Sequence, residues 1–108
     1  MIISTGADIN KEAILGNIKK LINQIYKLLP DREENIDWES PLSTIIVEIS
    51  GMSVILPDSH EILFPLLCKL EGLNKLKGED DFPIYRKTIF ESLNLLSSLR
   101  EKVLEWQD

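Results

Sequence analysis

Pro41-Leu42-Ser43-Thr44-Ile45-Ile46-Val47-Glu48-Ile49-Ser50-Gly51-Met52-Ser53-Val54-Ile55-Leu56, closed by Pro57, is the stretch on which the fold turns. Read with a helical period it has Ser40 as N-cap, Pro41 at the first helical position, and Leu42, Ile45, Ile49, Met52 and Leu56 on one face, with Pro57 as terminator. Read with a period of two, Ser50-Gly51 is a hairpin turn that pairs Ile49 with Met52, Val47 with Val54 and Ile45 with Leu56. The wealth of Ile, Val and Thr suits strands, whereas the Ser-Pro start and the isolation of a lone hairpin favour a helix. The helix is the reading adopted, and it leaves Val47 and Val54 opposite the main stripe. That placement implies burial on two sides or an oligomer contact.

Outward from this stretch the periodicity is helical. From Asp8, a suitable N-cap, to Leu29, the residues Ile14, Ile18, Leu21, Ile25 and Leu28 recur at spacings of four and three, with Ile22 and Leu29 widening the stripe. Lys19, Lys20 and Lys27 fall opposite, and Pro30 is expected to stop the helix. Asp58-Ser59-His60-Glu61 has the form of a capping box for a third helix, Ile62 to about Lys77, with Leu63, Leu66, Leu70 and Leu73 inward. Pro65 either kinks that helix or makes Phe64 its true N-cap, and Gly78 is the expected C-cap. A fourth helix should begin near Pro83 and run almost to the end of the chain. Its main stripe is Ile89, Leu93, Leu96, Leu99 and Val103, broadened by Ile84, Leu95 and Trp106 on one edge and by Phe90 and Leu104 on the other.

The expected fold class is therefore all-α, a four-helix antiparallel bundle in one domain over residues 1–108. The alternative is α+β, with residues 44–56 as a β-hairpin packed on three helices. A chain of 108 residues with 44% hydrophobic content is long enough to bury one continuous core.

Charge is segregated along this chain. Asp31, Glu33, Glu34, Asp37 and Glu39 crowd the first connection and Glu79, Asp80 and Asp81 the third. In an up-down-up-down bundle those two connections share an end and form one acidic pole. Such a pole suits a basic protein partner, although acids that precede helices also serve as caps and dipole partners. The net charge of −6 disfavours direct nucleic-acid binding, for which only the stripe Lys19, Lys20 and Lys27 is a candidate.

No catalytic signature accompanies the charge. His60 is the single histidine and Cys68 the single cysteine, which excludes multi-histidine metal sites, zinc clusters and an internal disulfide. Cys68, within Leu66-Leu67-Cys68-Lys69-Leu70, is expected to be buried as a small hydrophobe. The alternation Asp31, Glu33, Asn35, Asp37, Glu39 resembles calcium-loop ligands, but Ile36 stands where the loop needs glycine and Leu42 where it needs an acid. No phosphate-binding glycine loop or zinc-protease motif occurs.

No cofactor or metal is expected. The start of the chain lacks a basic n-region, and its longest apolar run, Ile62 to Cys68, is far below the ~20 residues of a membrane span. The expectation is a cytoplasmic, non-enzymatic protein-interaction module, either a small subunit or adaptor of a larger assembly or a homodimer, with Ile84, Phe90, Leu95, Leu104 and Trp106 as its recognition face. The alternative is a small acidic inhibitor or immunity-type protein that blocks a basic or nucleic-acid-binding target. Trp38, inside the acidic loop, is expected to fold back and staple the start of the second helix.

Overall fold

The computed structural model describes residues 11–105, which form four α-helices and, among the described residues, no strand. These are α1 (Lys11–Glu33), α2 (Glu39–Ile55), α3 (His60–Leu73) and α4 (Phe82–Leu104), with short 3-10 turns at Pro57–Ser59 and Glu79–Asp81. Each helix packs on its neighbours in chain order and α1 closes the ring against α4. The chain is thus an all-α, antiparallel four-helix bundle. At one end Arg32 of α1 reaches the carbonyls of Leu76 and Gly78. At the other, Lys102 Nζ donates to the Asp58 carbonyl (2.6 Å) and Lys11 Nζ to the Leu104 carbonyl (3.1 Å).

Helix α2 follows the 3.6-residue period. Leu42, Ile45 and Ile49 are fully buried, and Met52 and Leu56 nearly so. Val47 and Val54 face outward, 70% and 80% exposed. A strand would have placed Ile45, Val47 and Ile49 on one face. The pairing surfaces of α1 and α3 supply what the local Ile/Val preference lacks, because each offers a stripe at the same period: Ile14, Ile18, Leu21, Ile25 and Leu28 on α1, and Leu63, Leu66, Leu70 and Leu73 on α3, all buried. The expected α4 stripe is buried as well, together with Tyr85 and Ser92. The Ser92 hydroxyl donates to the Thr88 carbonyl at 2.8 Å, which satisfies it inside the core.

Several helix boundaries differ from expectation. Pro30 does not stop α1, which continues to Glu33. Proline there removes only the bond to the Tyr26 carbonyl, on a half-exposed flank open to solvent. The true stop is Asn35, at φ 57°, the left-handed conformation that asparagine tolerates. Ile36 N–H donates to the Asp31 carbonyl (2.8 Å) and Asn35 N–H to the Arg32 carbonyl (3.2 Å), a Schellman closure.

Ser40 is not the N-cap of α2 either. The helix begins at Glu39, and the Asp37 carboxylate accepts from the N–H groups of Glu39 and Ser40, both at 3.1 Å. Pro41 then falls in the first turn, where its missing N–H has no helical acceptor to lose. The capping box at Asp58–Glu61 does not form: Ser59 makes no side-chain cap bond, and a 3-10 turn leads straight into His60. Pro65 lies well inside α3, so Phe64 is no N-cap.

Gly78 does not cap α3, which ends at Leu73. The chain continues there through i to i−3 bonds at Asn74, Lys75 and Leu76. Gly78 instead opens the turn before α4, its N–H donating to Asp81 Oδ2 at 3.1 Å. A Cβ on Gly78 would approach that oxygen to 3.2 Å, which explains glycine at this close contact. Cys68 is exposed rather than buried, because it lies midway between Leu66 and Leu70 and hence on the outer side of α3. The expected cap Asp8 and the candidate Trp106 lie outside the described residues.

The helical register predicts a sharp contrast between neighbours. Ile45→Ala and Ile49→Ala should each cost about 2–4 kcal/mol in urea unfolding, whereas Val47→Ala should stay within about 0.5 kcal/mol. Equal losses at all three positions would restore the hairpin.

Candidate functional site

The acidic joints meet. Lys77 Nζ lies 2.9 Å from Glu39 Oε2 and Arg32 Nη2 lies 2.8 Å from the Gly78 carbonyl, so the α1–α2 and α3–α4 connections are tied together. An open cavity of about 350 Å³ lies there, lined by Arg32, Glu33, Trp38, Lys77, Glu79 and Phe82 among others.

At its base the Arg32 guanidinium sits among three rings, 4.7 Å from the centroid of Tyr85, 5.2 Å from Phe82 and 5.9 Å from Trp38. It also donates through Nε and Nη2 to the Leu76 carbonyl at 3.2 and 2.7 Å. Trp38 packs edge-on against Tyr85 (5.1 Å, 76°), so it is turned inward as a staple, as expected. Tyr85 is fully buried, and that burial raises its hydroxyl pKa, an effect that the nearby Arg32 charge opposes.

The eight acids of the pole divide by role. Asp37 caps α2, Asp81 holds Gly78 and Glu39 pairs with Lys77. The Ser40 hydroxyl and then the Ser40 N–H, joined by the Glu39 N–H, hold the Asp37 carboxyl below its ordinary value. Asp31, Glu33, Glu34, Glu79 and Asp80 form no side-chain hydrogen bond or ion pair within the described residues. They are the acids free to meet a partner.

The recognition face expected on α4 is largely absorbed by the bundle. Phe90 is half-buried, edge-on to Tyr26 of α1 at 5.9 Å with the Arg86 guanidinium 5.1 Å above it. Leu95 is half-buried against the core. By periodicity it lies between Glu91 and Lys102, whose ion pairs to Lys69 and Glu61 mark the side facing α3. Ile84 and Leu104 are 55% and 44% exposed but lie on opposite flanks. Helices α1 and α3 pack more extensively on α4 than on α2, which accounts for the wide apolar circumference of α4.

A different apolar surface is more continuous. The exposed residues of α2 after Glu39 are Ser40, Ser43, Thr44, Val47, Ser50, Gly51, Val54 and Ile55, none of them charged. Phe64 of α3, 69% exposed, lies on the side away from the Lys69–Glu91 pair and so beside this face. Glu48, the remaining acid of α2, is turned to α1 and pairs with Lys20 at 3.6 Å.

A groove of about 300 Å³ runs along the α1–α2 seam past Ile14, Leu21, Gly51, Met52 and Ile55. The outward valines were legible from the helical wheel. Phe64 was legible in the same way, since it falls off the 63, 66, 70, 73 stripe. Arg32 and Tyr85 were not, because their contacts come from two separate helices and two loops.

No family model, curated protein or solved structure matches this chain. No single helix among the described residues is long and apolar enough to cross a membrane.

Two measurements check the pole. Arg32→Ala should lower stability by about 2–3 kcal/mol through lost ring and carbonyl contacts, and Arg32→Lys should recover only part of it, since lysine lacks the planar fork. Because the folded-state pKa of Asp37 is depressed, its contribution is present above the ordinary carboxyl value and fades as pH falls through the folded one. The stability gap between wild type and Asp37→Asn in urea melts should therefore be present at about pH 6 and shrink towards about pH 2.

Proposed function

We propose that this chain is a non-enzymatic protein-interaction module, a small subunit or adaptor, that docks through the outward face of α2. One observation carries the reading: a helix within a folded domain keeps Val47, Val54 and Ile55 at 70%, 80% and 53% exposure with no charge among its exposed residues after Glu39. Four of the eight exposed residues are Ser or Thr and three are Val or Ile, and burying each of those three side chains contributes about 1.5–3 kcal/mol. The non-enzymatic reading is supported by the two groups suited to nucleophilic or acid–base work. His60 and Cys68 are both exposed, and neither hydrogen-bonds another side chain within the described residues.

A second reading, an acidic inhibitor or immunity-type protein that occupies a basic target, draws support from the five carboxylates at the pole that have no side-chain partner among the described residues. Charge of that kind acts mainly on association rate and specificity. The two readings respond to different substitutions. Association, measured with the purified chain and with proteins captured from the native host, should weaken at least about tenfold in Val47→Glu/Val54→Glu. It should persist in Glu33→Lys/Glu34→Lys/Glu79→Lys/Asp80→Lys. The reverse pattern would replace the first reading with the second, and indifference to both sets would remove both.

A further inference from the structure

We infer that the partner of the α2 face is a second copy of this chain, docked antiparallel across a twofold axis that passes through Ser50 and Gly51. The inference rests on the interaction reading above and specifies its occupant. Three observations support it, and the first is symmetry. An isologous contact needs a patch that matches itself after a half-turn. Val47 and Val54 stand equally far from the midpoint between Ser50 and Gly51, so a half-turn about that midpoint lays Val47 of one copy on Val54 of the other.

The second observation is charge. Two copies of a chain carry the same net charge, and a twofold contact sets groups near its axis beside their own equivalents, so charge there repels. A chain with net charge −6 therefore self-associates best through a face that carries none. The outward row of α1 has Lys19, Lys20 and Lys27, that of α4 has Lys87, Arg100 and Glu101, and one end of the bundle carries the acidic pole. The outer row of α3 has Glu61 and Glu71 on either side of Phe64, and the α2 face after Glu39 is the uncharged exception among the described residues.

The third is Gly51 itself. A Cβ added there meets nothing within 4 Å, and the backbone has an ordinary negative φ. Neither internal packing nor backbone conformation requires glycine there, as is also true of Gly16 and Gly72, although mid-helix glycine is less favourable than alanine; what distinguishes Gly51 is its place at the centre of the uncharged face. At the crossing point of two helices, its missing side chain lets the backbones approach.

The available area sets the expected strength. Helix α2 has 17 residues, or about 25 Å of length, and together with α3 at about 10 Å spacing it presents a footprint of roughly 500 Å². Stable interfaces bury about 800 Å² of accessible surface on each partner. The dimer is thus at the weak end, with a dissociation constant on the order of 10–100 µM.

Sedimentation equilibrium of the full chain from about 1 µM to 1 mM should show reversible dimerisation. Gly51→Leu should weaken it at least about tenfold while raising the melting temperature of the dilute monomer by about 4 °C, because helix propensity improves and the added Cβ meets no neighbour. Opposite movements in the two readouts separate loss of the interface from loss of the fold. In a Cys68→Ser background, oxidising a mixture of Val47→Cys and Val54→Cys chains should yield a mixed disulfide dimer far faster than either chain alone. A monomer across the whole range overturns the inference, as does dimerisation indifferent to Gly51→Leu or without the mixed-disulfide preference. A monomer that nevertheless captures a foreign protein or binds anionic phosphatidylserine vesicles, and loses that binding in Val47→Glu/Val54→Glu, also overturns it; in the protein case the docking face stands with a different occupant.

Discussion

The Arg32 guanidinium ties together the end of the bundle that most of the structure depends on. It lies at the C-terminal turn of α1, where a cation complements the helix dipole, and it donates to two carbonyls of the α3–α4 connection while three rings surround it. Each contact is modest, on the order of 1 kcal/mol, but they converge on one side chain. Through it α1 continues past Pro30, the long connection after α3 is held against the bundle, and Trp38 folds inward rather than outward. The acidic pole is a consequence of this closure, since its two halves would otherwise be separate loops.

The pole is electrostatically heterogeneous. Asp37, Asp81 and Glu39 are engaged in holding the backbone or Lys77, and they are inseparable from the local fold. Asp31, Glu33, Glu34, Glu79 and Asp80 have no such task. A cluster of like charge at one end lowers stability through self-repulsion and raises solubility and steering, and Arg32 with Lys77 offsets part of that repulsion. Acidic residues at helix starts and acidic residues available to a partner thus occur side by side, distinguished by hydrogen bonding rather than by residue type.

Helix α2 carries the opposite tension. Its inner face is as apolar as a core helix requires, and its outer face lacks the charge that a solvent-facing side normally has. Its seam with α1 is open enough to leave a groove, while α1 and α3 both pack tightly on α4. The apolar excess noticed on α4 in the sequence proves to be the signature of its more extensive packing on α1 and α3, with Phe90 held by Tyr26 and Arg86 and Leu95 on the side facing α3. The same excess on α2 has no neighbour to absorb it. Circumferential hydrophobicity in a sequence therefore has two different meanings, and only the packing order of the helices tells them apart.

The number of helices, their buried stripes and the outward placement of Val47 and Val54 were legible in the order of residues alone, because a period of 3.6 is a local property that every turn repeats. Where each helix stops was legible only in part. Pro30, Ser59 and Gly78 carry strong local signals, yet Asn35 in the left-handed conformation, the 3-10 turn before His60 and the Asp81 contact decided those boundaries. A single residue's preference of about 1 kcal/mol yields at these boundaries to backbone and side-chain bonds that span three to five residues. For the same reason the sequence determined that this chain forms an antiparallel helical bundle with an uncharged outer stripe. Only the tertiary structure decided that Arg32 joins the two acidic connections and that α1 and α3, which flank both other helices, pack more extensively on α4 than on α2, since both depend on which surfaces lie face to face once the ring of helices has closed.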